Sequence, residues 1–298
     1  MNGVGQIMIN GNAISWNRTV PYRFDVSVFA VGVLFLLSAG IIVSGCARKF
    51  PVQSFSGEHG FTQETFLGEN FDLKWFWRGQ GDVLRVYIEG DGKAWLSRSR
   101  PSSDPTPDDG AAFRLAAADT GTAVMYLARP CQFVEGEQAR NCITPFWTSA
   151  RFSEPVIQDL SLALDAAKSR IGARRLELVG YSGGGAVAVL LAARRDDVDL
   201  IVTVAGNLDH TLWTEMHGVS PLRDSLNPVN VARGVQGIRQ VHIVSVDDEV
   251  VPPAVVESYV RAMTDTNTVR IVTVKGVEHD GDWREAVAAV FADQEPDK

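Results

Sequence analysis

The sequence has 298 residues, of which 45% are hydrophobic and 21% are charged, as is ordinary for a globular protein. This length suffices for one sizeable core, and single α/β domains of about 250 residues are common. The formal net charge is −8 at pH 7 and the basic residues form no cluster, so we expect no nucleic-acid partner.

The N-terminal segment differs in composition from the rest of the chain. Two arginines precede an apolar run over 26–43, which is long enough for a transmembrane helix. The run ends, however, in small residues directly before Cys46. This pattern resembles a bacterial lipoprotein signal, which is cut before the cysteine that then carries lipid. We therefore predict a signal peptide over 1–45, a lipid anchor on Cys46 and a cell-envelope protein facing the periplasm; an uncleaved membrane anchor is the alternative.

The three cysteines of the chain fit an exported protein. If Cys46 carries lipid, Cys131 and Cys142 remain, and an oxidising compartment allows them to pair. We predict a disulfide between these two, which would stabilise the fold by about 3 kcal/mol on the loop-entropy model. Two unpaired buried thiols are the alternative.

The remainder of the chain is predicted to contain a tether and leading segment with short strands over 46–80, and one domain over 81–298. In that domain short apolar runs alternate with helical patterns, which is typical of a parallel sheet with crossover helices. The predicted strands are 83–88, 123–127, 176–179, 200–204, 241–246 and 269–274. The predicted helices include one capped by Ser153 and two over 255–263 and 283–291. We predict a doubly wound α/β domain, with helices on both faces of a mostly parallel sheet.

The most informative motif follows the strand at 176–179, where the chain reads Gly180-Tyr181-Ser182-Gly183-Gly184 and then a run of small residues. A serine on a tight strand-to-helix turn projects its hydroxyl above the sheet, and its close neighbours must be glycine. The motif resembles the nucleophile elbow of the α/β-hydrolase superfamily. A phosphate-binding loop is the alternative, but the turn lacks the Lys of a P-loop and the G-x-G-x-x-G order of a dinucleotide site.

This resemblance implies an acid and then a histidine later in the chain. Of the five histidines, only His279 follows a late predicted strand, so we predict it as the base. The loop after the preceding strand contains three consecutive acids, and the D-x-x-V-P pattern of the superfamily selects Asp248. Asp247, Glu249 and, more weakly, Asp209 are the alternatives. The acid would hold the imidazole in one tautomer and stabilise its cationic form.

Acyl transfer also requires hydrogen-bond donors for the developing oxyanion. The amide of Gly183 is one candidate, because it directly follows the nucleophile. The second is the amide of Gly90 or Asp91, in a turn that resembles the His-Gly-Gly loop of esterases, although Glu89 occupies the histidine position. A simple turn is the alternative.

Other residues are candidates for the substrate pocket. Arg129 closes a predicted strand and would suit an anionic group of the substrate, and Trp95, Arg98 and Arg100 are further candidates for its lining. The segment 207–240 is too long for a plain crossover, and we expect it to cover the site as a small lid.

Together these motifs predict a serine hydrolase that cleaves a small-molecule or lipid-like ester through Ser182, His279 and Asp248, and they imply no metal or organic cofactor. A serine peptidase or an acyltransferase would use the same residues. The chain also resembles a group of proteobacterial lipoproteins of the α/β-hydrolase type, which share its Tyr-Ile-Glu-Gly-Asp-Gly and Ala-Arg-Pro-Cys stretches. The alternative from another class is a non-catalytic envelope lipoprotein that keeps the fold for binding.

Overall fold

A computed structural model describes residues 8–9, 12–13 and 50–292. The chain separates into two compact units, Met1–Cys46 and Ala47–Lys298. In the first unit, two short strands, β1 (Met8–Ile9) and β2 (Asn12–Ala13), pair antiparallel. The rest of the predicted signal peptide, and the predicted lipidation site Cys46, lie outside the described residues.

The second unit is built around an eight-stranded sheet. In chain order its strands are β3 (Thr62–Leu67), β4 (Asp72–Gly79), β5 (Val83–Ile88), β8 (Ala123–Leu127), β9 (Arg175–Tyr181), β10 (Val198–Val204), β11 (Arg239–Ser245) and β12 (Val269–Val274). A separate hairpin consists of β6 (Trp95–Ser97) and β7 (Arg100–Pro101). The spatial order of the large sheet is β12-β11-β10-β9-β5-β8-β4-β3. The β3–β4 and β4–β8 pairs are antiparallel, and the remaining pairs are parallel.

Helices cover both faces of this sheet. They are α1 (Val52–Glu58), α2 (Ala111–Ala118), α3 (Glu154–Ile171), α4 (Gly183–Ala192), α5 (His210–His217), α6 (Ala232–Val235), α7 (Pro253–Arg261) and α8 (Arg284–Ala292), with 3₁₀ turns at Gly136–Ala139, Thr144–Trp147 and Pro228–Val231. One core lies under α3, α4 and α7, and a second core lies under α1, α2 and α8. Every residue of α4 is buried, which explains its composition of small and aliphatic residues. No helix among the described residues is both long and apolar enough to span a membrane.

The predicted doubly wound α/β architecture is confirmed, and the predicted strands end within two residues of the observed ones. Strands β3 and β4 lie in the segment 46–80, for which the sequence predicts short strands, and they belong to the same sheet as the strands of the predicted domain. On β4, Trp75 packs into one core and Phe76 into the other, so this strand belongs to the interior. Ser153 precedes α3 as predicted, but its side chain forms no capping hydrogen bond in the described structure.

The neighbouring strands β5 and β9 mark the point where the strand order reverses. From β5 the chain moves to β8 on one side, and it later returns to β9 on the other side. Loops that leave the carboxyl ends of such strands diverge, and the crevice between them is where open α/β sheets bind ligands. The turn at 89–91 follows β5 and Ser182 follows β9, so the predicted oxyanion turn and nucleophile share this crevice.

A disulfide joins Cys131 and Cys142, as predicted, with their Cα atoms 5.5 Å apart. The bridge closes the loop that follows β8. Gln132, next to the first cysteine, donates from Nε2 to the Gly90 carbonyl oxygen at 3.0 Å. The bridged loop therefore contacts the turn after β5.

Candidate active site

Ser182 lies on the turn between β9 and α4. Its φ of 52° and ψ of −120° are values that non-glycine residues rarely adopt, as a tight strand-to-helix turn requires. A Cβ on Gly180 would lie 2.2 Å from the Gly184 carbonyl oxygen, and a Cβ on Gly184 would lie 2.2 Å from the Ile88 carbonyl oxygen. The glycines of G-x-S-x-G are therefore a packing requirement at this turn.

Three predicted side chains meet at this turn. His279 Nε2 lies 3.0 Å from Ser182 Oγ, and His279 Nδ1 lies 2.8 Å from Asp248 Oδ2. If Nδ1 carries the proton and donates it to the carboxylate, Nε2 is the acceptor that faces the serine hydroxyl. The Asp248 side chain is fully buried and that of His279 is 15% exposed, so this pair is largely shielded from water.

The backbone of the loop at 246–252, which follows β11 and which we call the acid loop, fixes the orientation of Asp248. Its Oδ1 accepts hydrogen bonds from the amides of Val250 and Val251, both at 2.8 Å. Since Oδ1 is held in this way, Oδ2 is directed at the imidazole. The two amides therefore hold the carboxylate through one oxygen, so that the other oxygen faces His279.

The alternative acids have other partners. Asp247 accepts from the amide of Gly276. Asp209 accepts from the first amides of α5 and from Ser258 Oγ. Across residues 50–292, neither of these carboxylates nor Glu249 forms a hydrogen bond or ion pair with His279.

The backbone of His279 is held by two side chains that the sequence did not predict. Its carbonyl oxygen accepts from Tyr181 Oη at 2.8 Å and from Trp283 Nε1 at 3.0 Å. Burial raises the pKa of Tyr181 well above its ordinary value, so the phenol stays protonated and can donate. Tyr181 is the variable residue before the serine in G-x-S-x-G, a position where the motif specifies no side chain.

The turn after β5 lies against the nucleophile, since a Cβ on Gly90 would lie 3.3 Å from Ser182 Cβ. Of the two amides considered for the second oxyanion donor, that of Gly90 donates to Glu89 Oε1 at 2.9 Å and is therefore engaged in this structure. The Asp91 amide has no hydrogen-bond acceptor in the described part of the protein. The Gly183 amide is the first of α4, and the first amides of a helix have no partner within it. Asp91 and Gly183 therefore remain as the candidate pair of donors.

The Asp91 carboxylate packs between the start of α4 and two buried arginines. A Cβ on Gly183 would lie 2.2 Å from Asp91 Oδ1, so the carboxylate is in direct contact with the helix terminus. Arg151 Nη1 donates to Asp91 Oδ2 at 2.5 Å, and Arg129 Nη1 lies 3.5 Å from Oδ1. The two arginine side chains are only 6% and 5% exposed. This ion cluster connects the turn at 89–91 to the segments that follow β8 and precede α3.

Arg129 is part of this cluster, which corrects its assignment as a pocket residue for an anionic substrate group. Its guanidinium lies 5.2 Å from the centroid of the Phe152 ring and donates to the Arg151 carbonyl oxygen. Burial lowers the pKa of Arg129 to about 10. Arg129 therefore supports the turn through Asp91 and is not presented to solvent.

A largely apolar groove of about 400 Å³ lies beside the ion cluster. Its lining comes from the β6–β7 hairpin, the segment before α3, and α5 with the residues that follow it, and includes Trp95, Leu96, Arg98, Arg151, Trp213 and Leu222. Arg151 connects the groove to Asp91, and Trp213 Nε1 donates to the Val250 carbonyl oxygen in the acid loop at 2.7 Å. The segment expected to form a lid thus contributes one wall of this groove.

The remaining histidines of the domain do not belong to the group formed by Ser182, His279 and Asp248. His242 is buried in β11, where Nδ1 lies 2.8 Å from Thr203 Oγ1 and burial lowers its pKa to about 3. His217 Nε2 lies 2.9 Å from the Val250 carbonyl oxygen. Within the described ranges, no group of three or more His, Cys, Asp or Glu side chains is arranged to hold a metal ion.

Comparisons with known proteins address the fold. No family model and no curated protein matches the sequence. Among solved structures, an α/β serine hydrolase without a lid from Xanthomonas campestris is 17% identical, with a TM-score of 0.51 over 80% of this chain and 96% of that chain. An esterase from Pyrococcus furiosus is 13% identical, with a TM-score of 0.56 over 79% and 91%. Est1E from Butyrivibrio proteoclasticus is 12% identical, with a TM-score of 0.55 over 78% and 98%.

Replacing Asp91 with Ala is expected to lower the free energy of unfolding by about 3 kcal/mol or more, because two buried guanidinium groups lose their carboxylate. Urea denaturation at pH 7 measures this loss. Asp108→Ala is the control, because it removes a half-exposed partner of Lys93 and should cost less than about 1 kcal/mol. Equal losses in the two variants would contradict the structural role assigned to the Asp91 cluster.

Proposed function

We propose that this chain, which has the α/β-hydrolase fold, is a serine hydrolase that cleaves an ester through an acyl-enzyme. The observation that carries the proposal is the hydrogen-bonded series from Asp248 through His279 to Ser182, at the carboxyl ends of three strands. Three polar side chains from distant parts of the sequence share one point in the crevice where this fold binds ligands. A scaffold used only for binding has no need of that arrangement.

The proposed reaction has two half-reactions. Ser182 Oγ attacks the ester carbonyl carbon while His279 Nε2 takes the hydroxyl proton, and His279 then donates that proton to the departing alcohol oxygen as the ester C–O bond breaks. In the second half, His279 takes a proton from the water that attacks the acyl carbon. His279 then returns this proton to Ser182 Oγ as the bond between the acyl carbon and Oγ breaks, which releases the acid and the free serine. Asp248 Oδ2 accepts a hydrogen bond from the Nδ1–H of His279 throughout and stabilises the imidazolium that forms in each half.

The negative charge on the carbonyl oxygen requires donors that are already in place. We assign this role to the amides of Gly183 and Asp91, which come from the two loops that flank the crevice. In other serine hydrolases, loss of one such donor raises the barrier by about 3 kcal/mol. The N-terminus of α4 adds a favourable dipole at the same position.

The groove beside the ion cluster supports an ester with an apolar acyl chain. Trp95 and Leu96 on its wall are 43% and 46% exposed, and together with the other apolar lining residues they form one patch, of the kind that marks ligand-binding grooves. Two of its lining residues are bonded to loops of the site, Arg151 to Asp91 and Trp213 to the Val250 carbonyl oxygen, and these links support the groove as the place where an acyl chain binds. A peptidase or an acyltransferase would use the same catalytic residues, so the acyl preference is tested separately below.

We also propose that the mature protein is anchored by lipid at Cys46 and faces the periplasm. The support is the apolar run that ends in small residues before the cysteine. The bridge between Cys131 and Cys142 is compatible with an oxidising compartment.

Ser182→Ala is expected to lower kcat for p-nitrophenyl butyrate by about 10⁴-fold or more, because the nucleophile is lost. A fluorophosphonate probe should label the wild-type protein and leave this variant unlabelled. Ser54→Ala removes an exposed hydroxyl on α1 and should label as the wild type does. Equal labelling of the wild type and Ser182→Ala, or no labelling of either, would defeat the hydrolase proposal.

Leu96→Ala is expected to lower kcat/KM for p-nitrophenyl octanoate by about fivefold, as befits the loss of roughly 1 kcal/mol of apolar contact, and to leave the acetate ester within about twofold. Steady-state kinetics on the two esters measures the difference. Leu67→Ala is the matched control, since that leucine is 73% exposed at the end of β3 and does not line the groove. The same loss on both esters would remove the groove from the proposal.

Cys46→Ser is expected to abolish incorporation of radiolabelled palmitate into the expressed full-length chain, because the thiol that would carry lipid is gone. Labelling of the unsubstituted chain followed by electrophoresis is the measurement. Cys142→Ser should still be labelled. Unlabelled wild-type protein would rule out the lipid anchor.

A further inference from the structure

Glu89 carries a buried carboxyl group at the start of the turn at 89–91, which we call the oxyanion turn. The reaction described above makes no use of this group. The residue is 1% exposed. Its Oε1 accepts from the Gly90 amide at 2.9 Å and, at the longer distance of 3.4 Å, from the Ala112 amide. Its Oε2 accepts from Tyr126 Oη at 3.0 Å. One carboxyl group thus joins the oxyanion turn, the first turn of α2 and strand β8.

The three partners of Glu89 suit an ionised carboxylate. Each of them is a donor, and a carboxylate has acceptor positions for all of them. A protonated carboxyl carries an O–H in place of one acceptor position, so protonation weakens this set of contacts. The N-terminus of α2 also favours a negative charge, because its amides have no partner within the helix.

The contact with Gly90 determines which amide of the turn stays available. The Gly90 amide is engaged by Glu89, and the Gly90 carbonyl oxygen accepts from Gln132 at 3.0 Å. With both of its backbone groups engaged, this residue is held in one orientation against the Ser182 side chain. The amide that follows, that of Asp91, is the one with no acceptor in the described structure.

We propose that Glu89 is a positioning residue of the active site, whose buried carboxylate holds the 89–91 turn so that the Asp91 amide can donate to the oxyanion formed at Ser182. Glu89 acts through Gly90 and does not touch the reacting atoms. The inference rests on the proposed serine-hydrolase function, and it identifies a residue in the position where the related esterase loop has histidine.

Ionisation of Glu89 in this buried position costs folding stability. Burial raises its pKa from an ordinary 4.5 to about 7. Because the folded state binds this proton more tightly than the unfolded state, the contribution of Glu89 to stability falls as the pH rises from about 4.5 to about 7. The titratable and charged groups that interact with it are Asp109, Tyr126, Tyr181 and Arg129. The carboxylate of Glu89 thus holds the turn although its ionisation lowers the stability of the fold. A role in the proposed active site explains why a group with this cost is present.

The test is Glu89→Gln, which keeps the shape of the side chain and removes its charge. We expect kcat for p-nitrophenyl butyrate to fall by about 10- to 100-fold with KM within about twofold, because the lost interaction acts on the oxyanion of the transition state. Toward acidic pH, log(kcat/KM) should fall with a steeper slope in the wild type than in the variant, since only the wild type must keep Glu89 ionised. At pH 8 the variant should resist urea at least as well as the wild type.

Glu177→Gln is the matched control, because that buried carboxylate lies at the amino-terminal end of β9 and pairs with Arg85. Its kcat should stay within about twofold of the wild type, with the steeper pH slope retained. Tyr126→Phe removes one donor to the carboxylate and should shift the acid limb of the profile to higher pH, since that bond favours the ionised form. This second variant decides the question if Glu89→Gln fails to fold.

The two proposals fail in different ways. If the wild type hydrolyses esters and is labelled at Ser182, but Glu89→Gln keeps its kcat and its pH slope, only the positioning role is wrong. If Tyr126→Phe does not shift the acid limb of the pH profile, the same conclusion follows. If the wild type is neither active nor labelled, the serine-hydrolase proposal falls, and the role of Glu89 falls with it.

Discussion

The arrangement of the site depends on how closely helix α4 approaches the end of strand β5. The Ile88 carbonyl oxygen lies where a side chain at position 184 would begin, so only glycine allows the helix to start there. This approach brings the first turn of α4, Ser182 and the turn after β5 into contact. The positive φ at Ser182 follows from the same constraint, because β9 must turn into the helix within a single residue. Packing between backbone atoms, rather than any one side chain, therefore establishes where the proposed catalytic residues meet.

Carboxylates that are buried or largely buried orient the groups that surround this contact. Asp248 is bonded by two amides on one side and faces the imidazole on the other. Asp91 links the oxyanion turn to two arginines, and Glu89 engages the backbone of the same turn. Buried charges of this kind contribute little net stability, because their desolvation offsets their attraction. What they supply is a single orientation, which is the property that an active site requires of its supporting residues.

The parts of the site that could be predicted from the sequence are those encoded by neighbouring residues. The strand, the glycines and the helix around Ser182 are contiguous, so the elbow is visible in a short stretch. The oxyanion turn could be predicted only to within one residue, because the side chain of Glu89 folds back onto the next amide and no spacing encodes that contact. Arg129 has the sequence context of a surface arginine, and its burial depends on Asp91 and Phe152, both distant in the chain.

The sheet shows the same division between local and distant information. The parallel strands are short apolar runs, and their positions follow from composition alone. The strand β4 includes Lys74, which is buried and donates to Thr65 on the neighbouring strand, so its pattern resembles that of a solvated segment. The reversal of strand order between β5 and β9 depends on pairing across the whole domain, and no single stretch of sequence specifies it.

In the parallel pair β5–β9, Ile88 lies beside Gly180, about 90 residues later in the chain, and pairings over such distances form slowly during folding. Until this pair has closed, the turn after β5 does not lie against Ser182, so we expect a newly made or refolding chain to complete the proposed site only at a late stage of assembly.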